Sequence, residues 1–303
     1  MAKKNIEYGE LNKVILIGGN HHNGLGLVRS FGVNGINPYG IIIGNDAEKG
    51  FCRKSKYWKN TWAVKTSHEA VEILVREFSN EKLKPVVIPY SDGASAIIDR
   101  NLNVLSYYFK LPSIKGKEGA IFELMNKQKQ IDFAKHYNIK ILKAVILEEE
   151  NFEQQLNLEF PLIIKPVLSV EGHKSDITIC SLERDYWDTI ANFRAKGYKR
   201  IIVQKYLMDK HEYVLTGAIF KDKICFDLVR HIRQWPVGMG SGSFSEFVTD
   251  IAPIEFAKKI MKDVLTAGYE GPIDIEFFQD DKNEFYLNEI NWRSSGRNFV
   301  SLY

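Results

Sequence analysis

The 303-residue chain predicts an α/β domain followed by two α+β pieces. Three patterns lead there. Over roughly the first hundred residues, short apolar runs alternate with amphipathic stretches, the pattern of a parallel sheet covered by helices. From about residue 111 the alternation gives way to a long helical stretch and a series of strands. Near the C-terminus two apolar runs flank the turn-forming Asp280-Asp281-Lys282-Asn283, which predicts a hairpin. Boundaries are placed at 1–113, 114–204 and 205–303.

In chain order, the spacing predicts a strand over 13–18, a polar loop over 19–24 and a helix over 25–31. A strand follows at 40–44, then a helix over 67–78 with Ala70, Val71, Ile73, Leu74 and Phe78 on one face. A third strand spans 84–89, and Ser91-Asp92-Gly93-Ala94 leads into a short helix. Ligands on parallel sheets sit at the carboxyl ends of the strands, which puts loops 18–26 and 90–95 on the binding side. Gly18, Gly19, Gly24 and Gly26 invite a dinucleotide reading but do not match G-x-G-x-x-G, and Asp46 is displaced from the end of the second strand. An NAD(P)-dependent oxidoreductase is therefore the remote alternative. His21 and His22 either contact substrate or cap the helix.

Beyond residue 111 a helix is expected over 118–137, with Phe122, Leu124, Met125, Ile131, Phe133 and Ala134 as its apolar positions. A strand at 144–147 and a short helix at 152–156 precede Phe160-Pro-Leu-Ile-Ile-Lys165-Pro166. A charge at the end of an apolar strand is costly to bury alone, so Lys165 reaches water or meets an anion. A polar loop holding Glu171, Gly172, His173, Lys174 and Ser175 leads to a strand at 177–180. A helix over 184–194, a strand over 200–207 and a turn at 208–211 come next. Strands 212–220 and 223–229 form a hairpin. A polar loop is expected over 230–243, carrying Arg230, Arg233 and Gly238-Met-Gly-Ser-Gly242, before a last helix over 254–267.

In the C-terminal hairpin, residues two apart on a strand face the same way. Asp274 and Glu276 thus share one face of the first strand, and Glu289 and Asn291 one face of the second. Carboxylates with an amide oxygen suit Mg²⁺, which binds through one or two carboxylates plus substrate phosphates.

Composition narrows the function. Hydrophobic content of 45% and charged content of 26% are those of an ordinary globular protein. A net charge of +3 with scattered Lys and Arg leaves no nucleic-acid footprint. No signal-peptide h-region and no membrane-length apolar run are found, so a cytoplasmic location is expected. Cys52, Cys180 and Cys225 form neither a disulfide framework nor a zinc pattern.

Lys127, Lys165, Gln204-Lys205-Tyr206-Leu207, Glu212, Glu276 and Glu289-Ile-Asn291-Trp-Arg293 follow one another in an order that resembles the ATP-grasp superfamily. The likeness is to carboxylate–amine ligases of the carbamoyl-phosphate-synthetase-like and D-alanine–D-alanine-ligase-like type. In that family an acidic residue lies about thirteen positions before a Glu-X-Asn-X-Arg segment, and Glu276 stands thirteen before Glu289. Asp274 is the rival upstream ligand, and Trp292 replaces the proline many relatives carry. The resemblance implies a Rossmann-like (pre-ATP-grasp) parallel-sheet domain, then a two-lobed ATP-grasp fold. One lobe would carry the phosphate-binding lysines and the other the metal-binding hairpin. It implies ATP and Mg²⁺, with Mn²⁺ as substitute ion, and small-molecule carboxylate and amine substrates. Nucleic acid and membrane are not implied as partners, and a homodimer is left open.

By residue, the resemblance assigns Lys127 and Lys165 to the phosphates and Gln204, Lys205, Tyr206 and Leu207 to the adenine-binding hinge. Glu212 falls to the ribose, with His211 as its neighbour in contention, and Glu276, Glu289 and Asn291 to the metal. Arg293 falls to the transferring phosphoryl group, Lys174 to the loop closing over the phosphates, and Arg233 or Arg230 to the substrate carboxylate. The glycines from 238 to 242 would let their loop act as a lid. The implied reaction forms an acyl phosphate that an amine attacks. A non-ligating ATP-binding paralogue is the nearer alternative. The chain stops ten residues after Arg293, early for that family, so a longer polypeptide is expected.

Overall fold

Apolar strands too short to be helices begin the fold. In a computed structural model of the chain, residues 11–167, 176–235 and 241–295 are described. The chain divides into two compact units: residues up to Gly119 with the segment from Arg293, and Ala120–Trp292.

The first unit opens with β1 (Val14–Gly19), α1 (His22–Val33), β2 (Tyr39–Ile43), β3 (Asn60–Val64) and α2 (Ser67–Phe78). It continues with β4 (Val86–Pro89), α3 (Asp92–Asp99), α4 (Leu102–Leu105) and β5 (Ser113–Ile114). Its sheet runs β3-β2-β1-β4, every neighbour parallel. Alternation along β1 sends Ile15 and Ile17 to one face, against Leu74, Phe78 and Ile98, and Leu16 to the other, with Leu27, Val28 and Tyr90. Both faces are therefore buried, as parallel sheets require. Strand β3 was not foreseen. Asn60-Thr61-Trp62-Ala63-Val64 has no clean alternation, and what holds it is Trp62 packed edge-on against Phe78.

The second unit begins with α5 (Ala120–Leu124) and α6 (Lys127–His136). The single helix expected over 118–137 is thus two, because Asn126 turns extended and its side chain caps the Gln128 N–H at 2.8 Å. Then come β6 (Ala144–Glu148), β7 (Leu162–Pro166), β8 (Thr178–Cys180), α7 (Glu183–Ala195) and β9 (Arg200–Lys205). They form an antiparallel sheet in the order β6-β9-β7-β8. One face, with Leu162, Ile164, Ile201 and Val203, packs on Tyr186, Ile190 and Phe193 of α7. The helix expected at 152–156 is absent. A short 3₁₀ turn at Glu149–Asn151 precedes that stretch, and Phe152 is buried.

The third sheet is built from β10 (His211–Phe220), β11 (Lys223–Trp235), β12 (Ser241–Phe247), β13 (Tyr269–Gln279) and β14 (Phe285–Asn291), with α8 (Ile251–Thr266) before β13. Its strands run β12-β11-β10-β13-β14, all antiparallel. Tyr213 and Phe277 stack at 5.1 Å on the face that meets Phe256 of α8. The polar loop expected over 230–243 is corrected. Arg230 to Trp235 continue β11, and Ser241 onward pairs back as β12. Polar residues on a half-exposed edge hairpin look like a loop when read one residue at a time. Among the described residues no helix is long and apolar enough to cross a membrane.

Candidate active site

Register decides which side chains meet. Glu276 lies directly opposite Glu289, and Asp274 opposite Asn291, across β13 and β14. Opposed residues of an antiparallel pair share a face, and so do residues two apart. Asp274, Glu276, Glu289 and Asn291 therefore occupy one face of the sheet, away from α8. On β10, Val214 faces Glu276 and Thr216 faces Asp274, which puts Glu212 on that face too.

The two lysines come to this face from other elements. Lys127, at the start of α6, places its Nζ 2.9 Å from Glu289 Oε1, both side chains being mostly buried. On β7 the register sets Lys165 opposite Ile202 and Ile163 opposite Gln204, so these four turn away from α7. Burial and the Lys127 ammonium push the Lys165 amine down to about 8, against the opposing pull of the Glu289 and Glu276 carboxylates. Lys127, Gln130, Lys165, Gln204 and Asn288, with the apolar Ile131, Ile141, Ile202 and Leu287, line a pocket open to solvent.

Asp274 and Glu276 differ in availability. Asp274 is 2% exposed and accepts from Thr216 Oγ1 at 3.1 Å and Asn291 Nδ2 at 3.4 Å. Glu276 is half-buried and accepts from Asn288 Nδ2 at 3.2 Å. Asn288 is the extra residue of a bulge in β14 and turns inward. The donors Glu276, Glu289 and Asn291 are all hard oxygens, and the flanking ammonium groups suit the anions that complete a Mg²⁺ shell. Among the described residues no group of three or more His, Cys, Asp or Glu side chains is gathered to hold a metal alone. The donor set thus fits a cation that arrives with phosphate oxygens.

At the far end, Glu212 is gripped. Gln234 Nε2 donates to it at 2.6 Å, and the His231 Nδ1 lies 3.1 Å away with its ring almost fully buried. Burial pushes the Glu212 carboxyl up, but His231, Lys210 and Gln234 together hold it below its ordinary value. His211, its expected rival, is exposed. Lys210 was missed in the sequence. Its Nζ sits 3.8 Å above the Phe278 ring and 4.5 Å from that of Tyr206, and burial lowers its pKa against the pull of Glu212 and Glu276. Aromatic residues at 206 and 278 were the signal, legible only once both strands are placed.

In the hinge segment Gln204 is buried, with its Nε2 3.5 Å from the Leu142 carbonyl. The N–H groups of Lys205 and Tyr206 donate to Lys143 and Pro161, each at 2.9 Å. The Lys205 ammonium turns out to Glu159 at 2.9 Å, and Leu207 is half-buried.

Arg230 and Arg233 are not brought to this face. Arg230 lies opposite Tyr213, on the α8 side of the sheet, and pairs with Glu246. Arg233 follows a bulge in β11 and is exposed. Arg293 belongs to the first unit, where its Nε donates to Asp92 Oδ1 at 2.6 Å. Lys174, with Gly172, Gly238 and Gly240, lies outside the described residues.

The glycine loop of the first unit has its own explanation. A Cβ at Gly18 would stand 2.4 Å from Tyr90 Cε2, and one at Gly24 2.7 Å from Tyr90 Cζ. These glycines make room for a buried tyrosine ring. His21 caps α1 by accepting from the Asn23 N–H at 3.3 Å. Burial pushes the Cys52 thiol beside Tyr90 up to about 11, which disfavours its thiolate.

No protein-family model matches the chain. It is 27% identical over 220 residues to a D-alanine–D-alanine ligase of Helicobacter pylori, covering 68% of this chain and 62% of that enzyme. It is 26% identical over 243 residues to a D-aspartate ligase of Enterococcus faecium, covering 73% of this chain and 56% of the relative. The chain therefore spans about three-fifths of the length of these relatives. Among solved structures, an ADP complex of N5-carboxyaminoimidazole synthetase from Staphylococcus aureus superimposes with a TM-score of 0.69 at 18% identity, covering 94% of this chain and 72% of that one.

Proposed function

Starting from the ATP-grasp fold that the chain shares with these ligases, we propose that it is an ATP- and Mg²⁺-dependent carboxylate–amine ligase. The observation that carries this reading is the opposition of Glu276 and Glu289 on one sheet face, with Lys127 and Lys165 converging on it from α6 and β7. An ammonium neutralises phosphate oxygens as a compact charge, and the neighbouring carboxylates would hold the cation that accompanies them.

In this reading Lys127 and Lys165 hold the phosphates, and Glu276, Glu289 and Asn291 hold Mg²⁺ or Mn²⁺. The ion, when bound, supplies charge stabilisation to the phosphate oxygens. Asp274, tied to Thr216 and Asn291, orients the amide instead of ligating. The N–H groups of Lys205 and Tyr206 are spent on the protein, so Leu207 and the Gln204 side chain are left as hinge groups for the adenine. Glu212, fixed by His231 and Gln234, faces the ribose. The first unit is read as the Rossmann-like domain that precedes ATP-grasp lobes. Arg293 and Lys174 keep the roles the family implies, whereas Arg230 and Arg233, turned off this face, are not assigned the substrate carboxylate.

The reaction is phosphoryl transfer to a carboxylate, then attack of an amine on the acyl phosphate with loss of phosphate. Such transfer is catalysed by positioning and charge stabilisation more than by covalent chemistry. Glu289→Gln and Lys165→Ala are each expected to lower ATP turnover by about 10²–10³ while the fold is retained. The assay is ADP and phosphate release with ATP, Mg²⁺ and mixed amino acids. Turnover unchanged in both variants defeats the assignment.

A further inference from the structure

Among the described residues, strand β14, which carries Glu289 and Asn291, ends its sheet and has no partner strand on its outer side in the order β12-β11-β10-β13-β14. Two features make its position along its own axis matter. The bulge at Asn288 shifts its register against β13 one residue before Glu289. Any slide would move both cation-facing side chains together.

The outer edge of β14 is nevertheless occupied. The Leu287 N–H donates to the Lys140 carbonyl at 2.8 Å. At Ile290 the partner is a side chain. Gln130 Nε2 donates to the Ile290 carbonyl at 3.0 Å, and the Ile290 N–H donates to Gln130 Oε1 at 3.0 Å. A primary carboxamide presents a donor and an acceptor side by side, as an adjacent strand would, so one glutamine stands in for a neighbouring strand. Gln130 is 8% exposed and Ile290 1%, which keeps water from replacing these bonds. Three residues earlier on the same helix face, Lys127 holds the Glu289 carboxylate at 2.9 Å. Helix α6 thus holds β14 at two successive residues, one by its side chain and one by its backbone.

We propose that Gln130 is a positioning residue for the cation site. Its amide locks β14 just beyond the bulge, and so sets where Glu289 and Asn291, on either side of Ile290, present their oxygens. This rests on the ATP–metal reading above and adds to it a residue whose amide is bonded to the β14 backbone. Neighbours that orient a metal-binding group typically change metal affinity by about 10–100-fold when removed.

The test is Mn²⁺ binding measured by electron paramagnetic resonance in the presence of a non-hydrolysable ATP analogue. Gln130→Met keeps the volume and removes both bonds. Gln130→Glu keeps the shape and the acceptor but loses the donor to the Ile290 carbonyl, which covers the case in which Gln130→Met fails to fold. Each is expected to weaken Mn²⁺ binding about tenfold or more. Raising Mn²⁺ is expected to restore binding of a fluorescent nucleotide to near the wild-type level. A residue that merely packs would lower the melting temperature and leave the metal affinity of the folded protein alone. Wild-type Mn²⁺ affinity in both folded variants overturns the proposal. No nucleotide-dependent Mn²⁺ binding in the wild type itself sinks the ATP–metal reading, and this proposal with it.

Discussion

Lys165 shows how far a single side chain can be argued. Its place at the end of an apolar strand demanded an anion or water, and the structure adds the cost: burial and the nearby Lys127 bring its amine down to about 8. The sign follows from which form binds. Phosphate needs the ammonium, so nucleotide affinity is expected to be flat below about pH 8 and to fall above it, by up to about tenfold per unit. Between about 8 and 10.5 the unfolded chain still holds a proton that the folded Lys165 has released, so this group favours folding more as the pH rises. Isothermal titration of a non-hydrolysable nucleotide from pH 7 to 9.5 checks the first point. Lys165→Arg, which stays charged, is expected to flatten the profile.

At the scale of elements, period and turn chemistry carried much of what could be read. The faces of β13 and β14 followed from alternation alone, because a half-buried strand has a strict period of two. The pairing of Glu276 with Glu289 needed the register, which a bulge at Asn288 adjusts by one residue and which no local pattern announces. Helix α2 was legible from its apolar face, whereas β3 depended on Trp62 finding Phe78 through the fold. Strand β12 was hidden because Ser241-Gly242-Ser243-Phe244 has turn-like composition and gains its order only by pairing with β11. In the candidate site the lysines and carboxylates stood out as charges among apolar residues, while Gln130, Lys210 and His231 acquire meaning from partners far away in the chain.

The glycine loop belongs to the same scale. Gly18, the next-to-last residue of β1, lies by the Tyr90 ring, where a Cβ would sit 2.4 Å from ring carbon. Gly18→Ala is expected to cost about 1–3 kcal/mol, read by urea unfolding. Pairing it with Tyr90→Leu is expected to give a loss smaller than the sum of the two single changes, since they relieve one contact. Strict additivity would mean that the ring is not what the glycine accommodates.

Over the whole molecule, the first unit is completed by residues from the far end of the sequence. The Ser294 N–H donates to the Pro89 carbonyl at 3.2 Å, Arg293 pairs with Asp92, and Ser294 and Ser295 are buried. Ending the chain at Trp292 is expected to cost the first unit about 1–3 kcal/mol, through a charged hydrogen bond and a backbone bond. Amide exchange in β4 and α3 is expected to rise while β9 stays protected. Equal exchange in both versions would mean that this return segment adds nothing.

During synthesis this arrangement imposes an order of events. The N-terminal sheet leaves the ribosome early, yet its last pieces emerge only after the whole second unit has been made. For that interval Asp92 and the Pro89 carbonyl face water, and the nascent sheet stands without the segment that finishes it. A translational pause before Arg293 would prolong that exposure.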